Sequence, residues 1–197
     1  MKMVDKNAVV ERLSALPIYQ FDFINSADLV FEPRVRQICS SECPMYGKTW
    51  SCPPGTGTLE QCRERCLRYK EVLLISTVAE VSDIANMTET LSTRREHEEI
   101  TRQVRDIFTD LGIDTFVLSS EACQNCEECA YPNAPCRYPE RMLPCIESHC
   151  ILVTDLAERF GIEFISSATI VTWFSLIFFD GPRKGTENEY ELLHQRI

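Results

Sequence analysis

Eleven cysteines are the chemically distinctive residues of this chain, and seven of them fall into two short motifs. The motifs comprise Cys39, Cys43 and Cys52, and then Cys123, Cys126, Cys129 and Cys136. Thiolates at such close spacing are the ligands of zinc and of iron–sulfur clusters. The spacing therefore predicts metal binding in two separate segments.

A disulfide scaffold is the other common use of many cysteines, and the sequence argues against it. Scaffolds of that kind are short, secreted chains with paired cysteines. Here the cysteine number is odd, the chain has 197 residues, and Met1–Lys6 leads into polar residues without an apolar signal-peptide core. The apolar run 168–179 is too short to span a bilayer as a helix. We therefore expect a cytoplasmic protein without membrane association.

The second motif favours an iron–sulfur cluster over zinc. Two consecutive Cys-x2-Cys steps direct three thiolates at one cubane, as in bacterial ferredoxins, whereas zinc sites join two separated pairs. Cys136 follows after six residues and could serve the same cluster or a neighbouring one. Arg137 and Arg141 could compensate the charge of the thiolates or could simply be solvated.

The first motif supplies three thiolates in a segment rich in Pro and Gly. Three thiolates can hold a three-iron cluster, a four-iron cluster with one open iron, or a cluster with a fourth ligand from elsewhere. Additional candidate ligands are Cys62, Cys66 and Cys145. Cys62 and Cys66 share one face of a predicted helix and could equally be core residues. Cys145 stands at a predicted helix start, where a thiolate is favoured, and Cys150 aligns with core positions.

The pattern of apolar residues predicts an α+β or α/β fold with a mixed sheet, in a single domain over 1–197. Predicted helices span 5–16, 58–69, 88–111 and 144–161, and predicted strands span 18–24, 28–32, 72–78, 113–118, 162–166 and 169–179. The cysteine-rich segments 39–57 and 121–140 are predicted loops at the ends of these elements. His97, on the long third helix, is predicted to lie at the boundary between core and solvent.

The sequence resembles the cysteine-rich predicted metal-binding proteins, domain of unknown function 2284, found largely in anaerobic bacteria and archaea. The resemblance rests on Arg34-Val35-Arg36 before the first motif, Tyr46-Gly47 and Pro53-Pro54 within and after it, Arg137 and Pro139 after the second, and Val171-Thr172-Trp173. It implies metal or iron–sulfur binding by the seven motif cysteines, with no settled activity. Cys62, Cys66, Cys145 and Cys150 depart from the family pattern, which has a Ser-Met-Glu-like run at 145–147.

Three functions agree with these features. The first is an iron–sulfur protein with two [4Fe–4S] clusters, acting in electron transfer or as an accessory redox protein. The second is an enzyme whose open iron binds and activates a small substrate. The third is a zinc-stabilised interaction module. The formal net charge of −10 argues against nucleic acid as a partner and leaves a redox protein or a small molecule. The oligomeric state stays open.

Overall fold

The computed structural model of the protein describes residues 4–165 and 167–180. Its strands are β1 (Gln20–Asn25), β2 (Glu71–Glu80), β3 (Phe116–Ser119) and β4 (Ile170–Phe179). Its α-helices are α1 (Lys6–Leu13), α2 (Pro33–Glu42), α3 (Leu59–Leu67), α4 (Met87–Asp110) and α5 (Val153–Phe160), and two short 3-10 helices span Ser26–Asp28 and Glu147–His149. The strands form one antiparallel sheet in the spatial order β1-β2-β4-β3.

Both faces of the sheet are buried, because successive residues of each strand point to opposite sides. Leu73 and Ile75 of β2 pack with residues of α1 and α4 on one face. Val72 and Leu74 pack with residues of α3 and α5 on the other face. The two central strands, β2 and β4, therefore have apolar side chains on both sides.

The ends of two helices follow directly from sequence signals. Thr58 and Gln61 form a capping box before α3, since each side chain accepts a hydrogen bond from the other residue's backbone N–H. Helix α4 ends just before Gly112, which has a φ of +74° that a residue with a side chain adopts only with strain. These two helices match the predicted spans closely.

The α+β fold class is confirmed. All three ladders between strands are antiparallel, however, so within the described residues the parallel pairing expected of a mixed sheet is limited to the isolated bridge between Ser119 and Cys145. That bridge fixes Cys145 beside the end of β3, where the second cysteine-rich segment begins.

Three predicted elements are wrong in whole or in part. The strand at 28–32 is absent because the chain forms a 3-10 turn and then enters α2 at Pro33. The Glu32 N–H donates to the Cys150 carbonyl and not to a neighbouring strand. The helix over 144–161 is interrupted because Cys150 adopts a left-handed φ of 61°. Only α5 is a regular α-helix there. No strand forms over 162–165, and residue 166 lies outside the described residues.

Two positions also differ from expectation. Cys39 lies on α2 rather than in a loop, because Pro33 starts a helix that runs to Glu42. His97 is buried rather than at a boundary, since its ring nitrogens lie 2.8 Å from the hydroxyls of Thr77 and Ser175. Within the described ranges, no helix has both the length and the apolar character needed to cross a bilayer.

Candidate metal centres

The first cysteine motif is folded into a compact turn after α2. Cys43 ends the helix, and the Gly47 N–H donates to the Pro53 carbonyl at 2.8 Å, which brings the two ends of the turn together. Gly55 is required for close approach, because a Cβ there would lie 2.8 Å from the Thr49 carbonyl oxygen. The backbone therefore fixes the position of Cys52 relative to Cys43.

The thiols of the first motif form one electrostatic group. Burial raises the pKa of Cys39 to about 11, and the neighbouring Cys43, Glu147 and Cys52 raise it further while Arg36 opposes them. Cys39 and Cys43 are half-buried, and Cys52 is buried. We call the site around Cys39, Cys43 and Cys52 the first centre.

Cys145 lies in the first centre although it is distant in sequence. Its side chain packs with Cys52 and Ala122 in a small buried cluster. The interaction between the two thiols is the main reason why the pKa of Cys52 is lowered to about 7, and the same interaction, followed by burial and the Glu147 carboxylate, raises the pKa of Cys145. The Cys145 thiol donates its proton to Glu147 Oε2 at 2.7 Å. The first centre therefore contains a fourth thiol from a distant part of the chain.

The second motif surrounds a cavity of about 370 Å³. All four of its cysteines line the cavity: Cys123, Cys126, Cys129 and Cys136. Cys136 thus returns to the other three, and its pKa is raised first by burial and then by Cys129 and Cys126. Burial likewise raises the pKa of Cys123 to about 11. We call this cavity and its four cysteines the second centre.

Backbone amides already donate to thiols in the second centre. Burial is the larger effect on both pKa values, but the backbone N–H of Asn125 lowers the pKa of Cys123 and that of Tyr138 lowers the pKa of Cys136. Each of these hydrogen bonds favours the thiolate, since it stabilises the negative charge. Donation from peptide amides to cysteine sulfur is also what tunes iron–sulfur clusters.

The first motif forms part of the wall of the second centre. Thr49, Trp50 and Ser51 line the cavity. The Trp50 ring packs edge-to-face on Tyr131 with centroids 4.8 Å apart, and its Nε1 donates to the Ala134 carbonyl at 3.0 Å. The two cysteine segments are therefore built against each other.

Ser51 connects the two centres directly. Its hydroxyl accepts the Cys123 N–H at 2.8 Å and lies 3.8 Å from the Cys52 sulfur. Its carbonyl accepts the Cys145 N–H at 3.0 Å. One residue therefore contacts ligand candidates of both centres, which places the centres next to each other.

Two buried arginines of helix α4 lie beside the second centre, and the sequence did not identify them. The buried Arg94 and Arg102 share one buried carboxylate, Glu98, at 2.5 Å and 3.0 Å. Arg102 also pairs with the Glu99 carboxylate at 3.3 Å, so two carboxylates face the two guanidinium groups. Burial and Glu98 raise the pKa of the nearby Cys123, and Arg94 opposes them. The spacing of Arg94, Glu98 and Arg102 at four-residue intervals on one helix was the available signal.

Arg137 and Arg141, the predicted sources of compensating charge, are both exposed. Arg137 donates to the Glu128 carbonyl at 2.7 Å, so it closes the second cysteine segment on itself. Arg141 lies 3.9 Å from Glu99, outside the buried group. Of the two interpretations offered for Arg137 and Arg141, solvated side chains therefore agree better with the structure than compensation of the thiolate charge.

The remaining cysteines lie away from both centres. Cys66 is fully buried in the core beneath α3 and α5. The Cys62 thiol donates to the Thr56 carbonyl at 3.4 Å and lies 3.6 Å from Arg36 Nη2. Cys150 is buried and hydrogen-bonded to the same guanidinium. The structure therefore separates Cys145 from the other additional cysteines.

Among the described residues, no three Cys, His, Asp or Glu side chains meet at a point suited to one metal ion. Zinc draws all four thiolates to about 2.3 Å from a single ion. A four-iron cluster binds each thiolate at a different iron, so its ligands stand further apart around a larger volume. Four cysteines around a cavity of about 370 Å³ fit the cluster better than the single ion.

A comparison with protein families bears on this geometry. The pattern of DUF2284, described as a predicted metal-binding protein, matches residues 22–179, which include both centres. The chain belongs to the DUF2284 family. In this DUF2284 protein the matched range begins within β1 and ends with β4, so the family pattern covers most of β1 and all of β2, β3 and β4. No curated protein and no solved structure matches the chain.

Proposed function

We propose that this DUF2284 protein binds two [4Fe–4S] clusters and transfers electrons. The observation that carries the proposal is the convergence of Cys123, Cys126, Cys129 and Cys136 on one cavity. Four thiolates are the usual complement of a four-iron cluster. The first centre, with the half-buried Cys39 and Cys43 and the buried Cys52, is the site of the other cluster.

The proximity of the centres supports electron transfer rather than a purely structural role. Ser51 contacts Cys123 of one centre and Cys52 of the other, so electrons would pass between clusters over a short path through one residue. The buried Arg94 and Arg102, which pair with Glu98 and Glu99, also bring guanidinium donors next to the second centre, where Arg102 contacts Asn125, and such donors would support a negatively charged cluster. A zinc module would need neither feature.

An enzyme is the second candidate, and one cavity favours it. A space of about 860 Å³ adjoins the second centre and shares Gln124 and Asn125 with it. Four arginines and three glutamates line this space: Arg94, Arg95, Arg102, Arg141, Glu96, Glu98 and Glu99. The net positive lining would suit a small anionic substrate that exchanges electrons with the second cluster.

Compartment and partner follow from the same proposal. Thiolate-bound clusters require a reducing compartment, so we expect the cytoplasm. The partner would be a redox protein or a small molecule, because a chain of net charge −10 lacks the positive surface that nucleic acid requires.

Cysteine variants purified without oxygen test the proposal. We expect Cys126→Ala to lose one cluster, so that iron falls from about eight to about four atoms per chain. Cys66→Ala is the matched control, since Cys66 is also a cysteine of the same chain but lies in the core, and it should keep the full iron content. Equal metal content in both variants, with folding verified by circular dichroism, would contradict the proposal.

A further inference from the structure

We infer that Cys145 is the fourth cysteine ligand of the first centre. The inference rests on the proposed function, because it assumes that Cys39, Cys43 and Cys52 hold a cluster. The first motif provides only three thiols, and one further cysteine from a different part of the chain reaches them.

The contact between Cys145 and Cys52 is the first reason. The two side chains pack against each other in one buried cluster, with exposed fractions of 7% and 4%. Together with Ala122 and the partly buried Met45 they form a small apolar group separate from the two sheet cores. Such a dry environment is typical around clusters, since it excludes solvent from the sulfurs.

The backbone of Cys145 is fixed from both sides. Its N–H donates to the Ser51 carbonyl at 3.0 Å. The N–H of the next residue, Ile146, donates to the Ser119 carbonyl, also at 3.0 Å. The first bond ties Cys145 to the turn that carries Cys52, and the second ties it to the rigid sheet. The side chain is therefore positioned by hydrogen bonds that do not involve the thiol itself.

The Cys145 carbonyl is held as well. It accepts the Ser148 hydroxyl at 2.5 Å and lies 3.0 Å from His149 Nδ1. Arg65 Nη1 lies 3.0 Å from His149 Nε2, and a guanidinium can only donate, so Nε2 accepts and Nδ1 carries the proton. Arg65, on α3, therefore selects the His149 tautomer whose Nδ1–H donates to the Cys145 carbonyl. A free structural thiol would not need this degree of support.

The other candidates for the fourth ligand are less suitable. Cys62 contacts the Thr56 carbonyl and Arg36, and Cys66 faces the sheet core. Glu147 is a competing group inside the first centre, because its Oε2 accepts from the Cys145 thiol. Iron–sulfur clusters are held mainly by thiolates, so the cysteine is the better ligand and the carboxylate its neighbour.

A fourth cysteine has a consequence for function. With four thiolates, every iron of the first cluster has a protein ligand, and none remains open to a substrate. The first centre is then an electron carrier, and any substrate chemistry belongs to the cavity beside the second centre.

Variants of the complete, anaerobically purified protein test the assignment. In Cys145→Ala the first cluster should shift to a three-iron form or be lost, so that iron falls from about eight to about seven or fewer per chain. The electron paramagnetic resonance (EPR) spectrum should show the change while the second cluster keeps its signal. Cys62→Ala is the matched buried control and should retain all iron. Cys145→Ala with unchanged iron and spectrum would overturn the assignment.

Two further measurements keep the test decisive. Glu147→Gln should retain the four-iron signal; loss of iron there, with retention in Cys145→Ala, would assign the carboxylate instead. The native protein needs no substitution: its spectrum should stay unchanged when 2-mercaptoethanol is added, whereas an open iron would bind the thiol and shift it. Wild-type protein without iron would contradict the proposed function itself. Failure of the proposed function can therefore be distinguished from failure of the Cys145 assignment alone.

Discussion

Arg102 donates a hydrogen bond from Nη2 to Oδ1 of Asn125 at 3.3 Å, and this contact orients the Asn125 amide. Because a guanidinium has no acceptor, Oδ1 must face Arg102 and Nδ2 must point away from it. Nδ2 is buried and has no hydrogen-bond partner within residues 4–165 and 167–180. Asn125 stands between Cys123 and Cys126 and lines the second centre. A cluster sulfur there would give this donor its acceptor.

Replacing Asn125 should therefore change the reduction potential of the second cluster. Hydrogen bonds to sulfur raise the potential, because they stabilise the more negative reduced state. We expect Asn125→Leu to lower the midpoint potential by roughly 59 mV, which is a tenfold change in the one-electron equilibrium constant. Potentiometric titration followed by EPR measures it. Asn133→Leu removes an exposed amide from the same segment, outside the cavity lining, and should leave the potential unchanged; an equal shift in both variants would refute the role of Asn125.

The contacts of Ser51 predict magnetic interaction between the two clusters. Because one residue touches Cys123 and Cys52, the unpaired electrons of two reduced clusters should couple and broaden the EPR spectrum. In Cys126→Ala only the first cluster remains, and the spectrum should become that of an isolated cluster. A fully reduced wild-type protein with two independent, unbroadened signals would show that the centres are further apart than Ser51 indicates.

Arg94 should matter for stability as well as for charge. Its side chain is 1% exposed, donates to the Ser120 carbonyl at 2.7 Å and pairs with Glu98. Arg94→Met breaks a buried ion pair and leaves the carbonyl without this donor, which should lower the free energy of unfolding by about 3 kcal/mol. The exposed neighbour Arg95→Met is the control and should change it by less than about 0.5 kcal/mol. Urea denaturation of the loaded proteins measures both, and similar effects of the two substitutions would argue against the buried network.

Buried His97 predicts a loss of stability in acid. Burial lowers its pKa to about 3, with Arg94 acting in the same direction, whereas an unfolded histidine titrates near about 6.5. Between these values the unfolded chain binds a proton that the folded chain does not, so the free energy of unfolding falls as pH falls. The slope is up to about 1.4 kcal/mol per pH unit.

His97→Gln removes that contribution, so its free energy of unfolding should depend less on pH between pH 7 and pH 5.5 than that of the wild type. Other groups, including buried His149, act equally in both proteins and cancel in the comparison. Parallel pH profiles for the two proteins would mean that His97 already carries its proton or is accessible in the folded state.

The sequence predicted the regular elements with strong periodicity and the residues of the second centre. Helix α4 and strand β4 match their predicted spans within about two residues, as their long apolar patterns allow. The placement of Cys145 could not be predicted, because it depends on a tertiary hydrogen bond to Ser51 and on the break at Cys150. Local propensity favoured a continuous helix there, and contacts made only in the folded chain overrode it.

The orientation of Asn125 is a second feature that the sequence could not predict. Its position between two ligand cysteines was visible in the sequence, yet its orientation depends on Arg102, which approaches from a different helix. Sequence motifs identify which atoms bind a metal, whereas the groups that tune the metal come from elements packed around the motif. Arg137 and Arg141 follow the second motif in sequence but are exposed, whereas the buried Arg94 and Arg102 of helix α4 lie beside the second centre.

Iron and acid-labile sulfide content of the wild-type protein, purified without oxygen, tests the central claim most directly. Two four-iron clusters predict about eight iron and about eight sulfide per chain, with the brown colour of thiolate-bound clusters. A Mössbauer spectrum should assign all of the iron to clusters. A colourless protein that contains zinc and no sulfide would contradict the claim.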